Sequence, residues 1–165
     1  MTDIAIRNAI AADHSAIVAL NLGEVSHTSP MDKSRLAALD VVACHHRVAT
    51  VDGRVAAFVL AMQRGCGYAN ENFNWFAARY DAFLYVDRIV VGAAHRGLGL
   101  GSRLYDDLFD FARSRDIPRI ACEYNLVPPN EASRTFHERF GFREVGRQWL
   151  ANGSKQVSLQ VAELR

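Results

Sequence analysis

Residues 90–105 read VVGAAHRGLGLGSRLY, with Gly97, Gly99 and Gly101 at alternate positions where an apolar, strand-like run hands over to an amphipathic one. A helix N-terminus leaves backbone N–H groups without carbonyl partners and carries the positive end of the helix dipole, so it takes anions readily. Glycines at such a point allow unusual dihedrals and a close main-chain approach, both of which a diphosphate requires. Arg96 adds positive charge and the Ser102 hydroxyl one more donor. The spacing therefore points to a phosphate-bearing ligand held at a helix N-terminus; a glycine-rich turn with no ligand is the other reading.

Two familiar glycine loops do not fit. A P-loop needs G-x-x-x-x-G-K-[ST], and no Lys-Ser or Lys-Thr follows these glycines. The dinucleotide fingerprint needs a further Gly three residues after the second, where this chain has Ser102 or Leu104, depending on which pair is counted first. Cys44-His45-His46 hints at metal, but neighbouring strand residues point to opposite faces and cannot easily chelate together. No metal site is expected, and no Ser-His-Asp arrangement stands out.

Several elements must position this loop. Residues 3–8 alternate as a strand, and Asp13 is placed to cap a helix reaching about Leu22. A second, shorter helix is read over residues 31–40. Asp52-Gly53 between HHRVATV and RVAAFVLAM predicts a hairpin with a type I′ turn. Residues 64–80, with Tyr68, Phe73, Trp75, Phe76 and Tyr80 among Gly and Asn, form either rings packed on the core or a loop or short helix lining a pocket. The nearly continuous apolar run 83–91 predicts a central strand. Leu100, Leu104, Leu108 and Ala112 mark a helix over residues 99–115, followed by a strand at RIACEYN. A helix from an Asn130 cap to about Phe140, with Gly141 just past its end, precedes a closing hairpin. This order describes a mixed α/β sheet.

The chain's 165 residues, 50% hydrophobic and 22% charged, are enough for one domain with a sizeable core, taken as residues 1–165. A net charge of +1 argues against a broad nucleic-acid footprint. Three scattered cysteines suggest free thiols in a reducing compartment. Neither a signal peptide nor a membrane-length apolar run is visible, so a cytoplasmic protein without membrane partners is expected.

Arg96-Gly97-Leu98-Gly99-Leu100-Gly101 matches R/Q-x-x-G-x-G/A, and NEASRTFHERFGF from Asn130 to Phe142 matches an Asn-led helix ending aromatic-x-x-x-G-F. With YVDRIVV upstream, the chain resembles the GNAT superfamily, the Gcn5-related N-acetyltransferases, over a cofactor-binding core of about residues 83–146. The resemblance implies an α/β fold with a mixed, mostly antiparallel central sheet of about seven strands flanked by about four helices. It implies that the diphosphate of acetyl-CoA binds the loop amides from Arg96 to Ser102 and that pantetheine lies along Ile89, Val90 and Val91. Asn130 and Phe136 would contact the pantetheine arm, and the N–H of Ile89 or Val90 would receive the acyl oxygen.

Relatives commonly carry Tyr as the acid that protonates the departing thiolate; this chain has His137 there, either as that acid or as a polar helix residue while water does the work. Asp87 and Glu123 are the two candidates for assisting removal of the amine proton, each with an arginine-paired structural role as the other reading. The expected function is transfer of an acetyl group from acetyl-CoA to a primary amine of a small molecule or peptide, by direct attack in a ternary complex. A domain that binds acyl-CoA as a sensor, without turnover, is the alternative. A homodimer is left open.

Overall fold

The Asp52-Gly53 turn forms as its residue types dictate, with φ of 50° and 82° joining β2 (His45–Val51) to β3 (Arg54–Gln63) in antiparallel register. The computed structural model describes residues 1–25 and 28–164. Among these, the other strands are β1 (Ile4–Asn8), β4 (Leu84–Val91), β5 (Arg119–Val127), β6 (Arg143–Leu150) and β7 (Lys155–Glu163). The seven lie in one sheet, in the order β1-β2-β3-β4-β5-β7-β6. All neighbours are antiparallel except β4 and β5. The run read as central is central, with three strands on each side.

Helices cover both faces of the sheet. Along β3, Ala57, Val59 and Ala61 join a core with Leu100, Leu104 and Leu108 of α4 (Leu100–Ser114). The alternate residues Phe58, Leu60 and Met62 join a second core on the other face. That core includes Ile17 of α1 (His14–Leu22), Leu36 and Leu39 of α2 (Lys33–Val42), and Phe73 and Phe76 of α3 (Glu71–Ala77). Burial on both faces explains why β3 and β4 read as near-continuous apolar runs rather than alternating ones. α5 (Glu131–Arg139) packs Phe136 and Phe140 against the α4 side.

Five α-helices stand among the described residues where about four were expected. The additional one, α3, lies in the segment read as a loop or short helix: Asn70 caps it by accepting from the Phe73 N–H at 2.6 Å. Asp13 starts its helix differently from a simple cap. Its carboxylate accepts from the Ile10 N–H and both arms of Arg7, and the chain enters α1 through a 3-10 turn at Ala11–Asp13.

Two irregularities in β4 open the sheet at its centre. Leu60 pairs with Arg88 and Ala61 with Val86, which leaves Asp87 as an extra, bulged residue. Against β5, only Leu84↔Ile120 and Tyr85↔Ala121 pair. From Val86 onward that edge of β4 parts from β5, and a cleft opens between them.

Candidate functional site

The cleft has a volume of about 780 Å³ and runs from the N-terminus of α4 to the loops before α2 and α3. Its first half is built by the glycine loop and the parted end of β4. Gly97 and Gly99 take φ of +87° and +72°, and Gly99 is the residue from which α4 starts, with no side-chain cap. The amides of Leu100, Gly101 and Ser102 therefore head the helix with no carbonyl behind them. Arg96, Gly97, Gly99, Ser102, Asn130 and Phe136 line this half, beside Ile89, Val90 and Val91. The Asn130 side chain caps α5 by accepting from the Ser133 N–H at 3.2 Å, which leaves its NH2 group for other partners.

The second half is polar and tightly bonded. Asp87 has a side chain only 4% exposed, and both of its oxygens are engaged: Tyr68 donates its hydroxyl at 2.5 Å and Arg88 its Nε at 2.7 Å. Asn70 donates to the Tyr68 oxygen. Arg88 uses Nη1 to hold Asn21 Oδ1 and the Ser29 carbonyl. Glu123 reaches into the cleft from β5 and accepts from the Tyr85 hydroxyl. Gln148 donates to Asn72 Oδ1 at 3.0 Å, which leaves the Asn72 NH2 group free of that contact in the cleft that Glu123 also lines. Loss of water around the carboxyl lifts the Glu123 pKa to about 7, with the Asp87 charge adding to the shift against the hydrogen bond from Tyr85. A group with that pKa exchanges protons readily near neutrality.

His137 lines the cleft on the α5 side while being only 4% exposed. Its Nδ1 lies 2.7 Å from the Ser133 carbonyl, which can only accept, so Nδ1 carries the hydrogen and donates there, and Nε2 accepts from the Tyr105 hydroxyl at 2.7 Å. Burial lowers its pKa to about 4.

The acetyltransferase (GNAT) family profile matches residues 11–142 of the chain. The chain belongs to the GNAT family. It is 43% identical over 58 residues to a phosphinothricin N-acetyltransferase of Streptomyces coelicolor, a match over 35% of this chain and 33% of that protein. The match thus spans only about a third of that relative's length. Among solved structures, Ard1 from Thermoplasma volcanium superposes with a TM-score of 0.80 at 16% identity, covering 98% of each chain. A GNAT superfamily phosphinothricin acetyltransferase from Sinorhizobium meliloti, in complex with acetyl-CoA, gives 0.75 at 16% identity over 98% of this chain and 88% of that one.

The positions singled out in the sequence take different places in the structure. Leu98 is exposed and does not line the cleft, and Leu100 is buried in the core with only its main chain available. Gly101 is helical; a Cβ there would lie 3.3 Å from the Phe136 ring, so its lack of a side chain serves close packing of α4 on α5 rather than an unusual dihedral. The strict alternation that put Asp87 and Arg88 on opposite faces fails at the bulge, which swings the two side chains into an ion pair. At His137, one ring nitrogen is engaged by the Ser133 carbonyl and the other by the Tyr105 hydroxyl.

The segment 64–80 divides between its two readings. Tyr68 lines the cleft, while Phe73 and Phe76 are core. Arg88, Asn72 and Arg35 were not legible as site residues. Only the position of Arg88 beside Asp87 signalled it, and the bulge that joins them leaves no mark in the spacing. His45 and His46 turn to opposite faces, His45 toward Asp107 and Phe111, His46 toward Asp40 and Phe58.

Proposed function

We propose that the protein is an acetyl-CoA-dependent N-acetyltransferase that acetylates a primary amine of a small molecule or peptide by direct attack in a ternary complex. One observation carries the reading. A single cleft joins an uncapped helix N-terminus, an unpaired strand edge and a carboxyl whose pKa is about 7. The first two suit coenzyme A: amides from Gly97 to Ser102 with Arg96 for the diphosphate, and the β4 edge at Ile89, Val90 and Val91 for the pantetheine amides, as an added strand would pair. Asn130 offers its NH2 group to the same arm, and Phe136 packs beside it.

Acetyl-CoA bound there supplies the activated acyl group. The acceptor ammonium gives a proton to the Glu123 carboxylate and becomes nucleophilic. Its nitrogen forms the new C–N bond as the C–S bond breaks and CoA leaves as the thiolate, which takes up, directly or through water, the second proton that the acylated nitrogen sheds. The N–H of Ile89 or Val90 donates to the carbonyl oxygen as negative charge builds there. Asp87 has both oxygens committed to Tyr68 and Arg88, which favours a positioning role over that of base. His137 in its neutral form fixes the Tyr105 hydroxyl. A domain that only sensed acyl-CoA would have no use for a cleft carboxyl poised at about 7.

The test is acetyl-CoA turnover against pooled amines, with acetylated products detected by mass, for the native chain and Glu123→Gln. Products from the native chain and their near-loss in the variant are expected. Tight acetyl-CoA binding with no product from any amine class would favour the sensor reading, and no acetyl-CoA binding would overturn both.

A further inference from the structure

The half of the cleft beyond Glu123 holds more positive charge than its own acids neutralise. Arg88 is the clearest case, with a side chain 6% exposed. Its Nε is spent on Asp87, and its Nη1 on Asn21 and the Ser29 carbonyl. Nη2 has no acceptor among the described residues, yet it is not one of the sealed, unbonded polar atoms; the arginine lines the cleft. A buried guanidinium clamped on one side with an open donor on the other is a rigid, preorganised half-site for an oxyanion.

Arg35 supplies a second cation. It stands in the first turn of α2, where its backbone N–H is held by Asp32 Oδ1 at 2.7 Å. Its guanidinium has no carboxylate partner among the described residues, and it lines the same cleft. Its charge works against the upward shift that burial and the Asp87 charge impose on the Tyr68 hydroxyl, which lines the same cleft. Lys155, at the start of β7, lines the cleft as well. On the acid side, Asp87 is already consumed by Arg88 and Tyr68, Glu24 by its ion pair with Arg96 at the other end, and Glu123 is only partly ionised near neutrality.

We propose that the acceptor amine carries an anionic group, a carboxylate or a phosphorus oxyanion, that docks between Arg35 and the open Nη2 of Arg88 while the amine nitrogen faces Glu123. The inference rests on the N-acetyltransferase reading and narrows its acceptor to an amine with a negatively charged end. Docking the anion orients the amine as well as holding it, because the two arginines and Glu123 come from three different elements, α2, β4 and β5, around one opening.

The binding arm titrates methylphosphonate, which has no amine, into the protein by calorimetry with saturating CoA present, so that the phosphate loop is already filled. Saturable binding is expected, weakened at least about tenfold in Arg35→Gln, the loss of a charge-assisted hydrogen bond, and unchanged in Arg113→Gln, which removes a cation outside the cleft. The turnover arm compares 3-aminopropylphosphonate with its neutral diethyl ester, and α-amino acids with their carboxamides. The anionic member of at least one pair is expected to have the higher kcat/KM. Arg35→Gln should erase that preference by raising the acceptor KM, with the acetyl-CoA KM held within about twofold. Which pair responds distinguishes a phosphorus oxyanion from a carboxylate.

Arg35 is exposed, so its variant tests the site without the folding cost that removing Arg88 would bring. Neutral amines acetylated as well as their anionic partners, or methylphosphonate binding indifferent to Arg35→Gln, overturn the proposal while leaving the enzyme reading standing. Methylphosphonate binding lost in Arg35→Gln, with no amine turned over, supports the anion site and counts against the enzyme reading instead.

Discussion

Glu123 and Asp87 are both carboxylates on neighbouring strands at the cleft, yet their surroundings differ sharply: Asp87 is ion-paired with Arg88, while Glu123 has no cationic partner among the described residues. Glu123 keeps a proton exchangeable near pH 7 because burial opposes its charge. Glu123→Gln should lower kcat by about 10²–10⁴, and native activity should rise with pH through about 7 as the carboxyl ionises. The same shift bears on stability. A carboxyl that holds its proton more tightly folded than unfolded makes the folded state less stable as pH rises from 4.5 to about 7. Glu123→Gln should therefore melt higher than the native chain at pH 8, by up to roughly 3 kcal/mol of stability, and about equally at pH 4. Calorimetric melts at the two pH values check this. Asp87→Asn strips a nearly buried guanidinium of its counter-charge, which costs about 3–5 kcal/mol. Its melting point should drop by roughly 10 °C, while kcat in the surviving folded fraction falls less than in Glu123→Gln.

At the scale of elements, the site depends on two departures from regularity. The bulge in β4 brings Asp87 and Arg88 to one side, and the parting of β4 from β5 leaves main-chain groups open beside the head of α4. The glycine loop completes that head by turning the chain through left-handed conformations at Gly97 and Gly99. Gly99→Val forces a β-branched side chain into φ near +72°, at a cost of about 1–2 kcal/mol, and moves the first free amides of α4. Acetyl-CoA affinity measured by calorimetry should fall at least about tenfold. Methylphosphonate binding in the acceptor half should hardly change, which separates the two ends of the cleft.

For the whole molecule, the two-sided burial of the sheet seals several histidines in neutral form. Burial lowers the pKa of His45 and His137 to about 4 and lowers that of His46 as well. Each is more easily protonated unfolded than folded, so their contribution is complete above about 6.5 and is lost as pH falls toward 4. Glu123 works in the opposite sense over part of that range, but three histidines outweigh it. The melting point should fall steeply between pH 6.5 and 4.5, and His137→Phe should show a shallower fall relative to its own value at pH 7.5. Among the described residues no helix is long and apolar enough to cross a membrane.

The sequence by itself determined the pieces whose cause is local. Asp52-Gly53 needs only its own dihedral preferences to make a turn. Asn130 and Gly141 bound a helix by their side-chain and backbone chemistry, and the apolar period of α4 marks its buried face without reference to what it packs on. The phosphate-suited head of α4 was legible for the same reason, since uncapped amides and positive φ belong to one short stretch. Tertiary structure alone decided which strands are neighbours, with β7 inserted between β5 and β6. It also set the Asp87 bulge, because a bulge is a mismatch between two strands and leaves no period in either. The contrast between Asp87 and Glu123, the bonding of His137 to Tyr105, and the sharing of one cleft by Arg35 and Arg88 all rest on burial and on partners distant in the chain. Desolvation and charge pairing depend on which groups share a volume, and residues from α2, β4 and β5 come to share this one only once the sheet is folded.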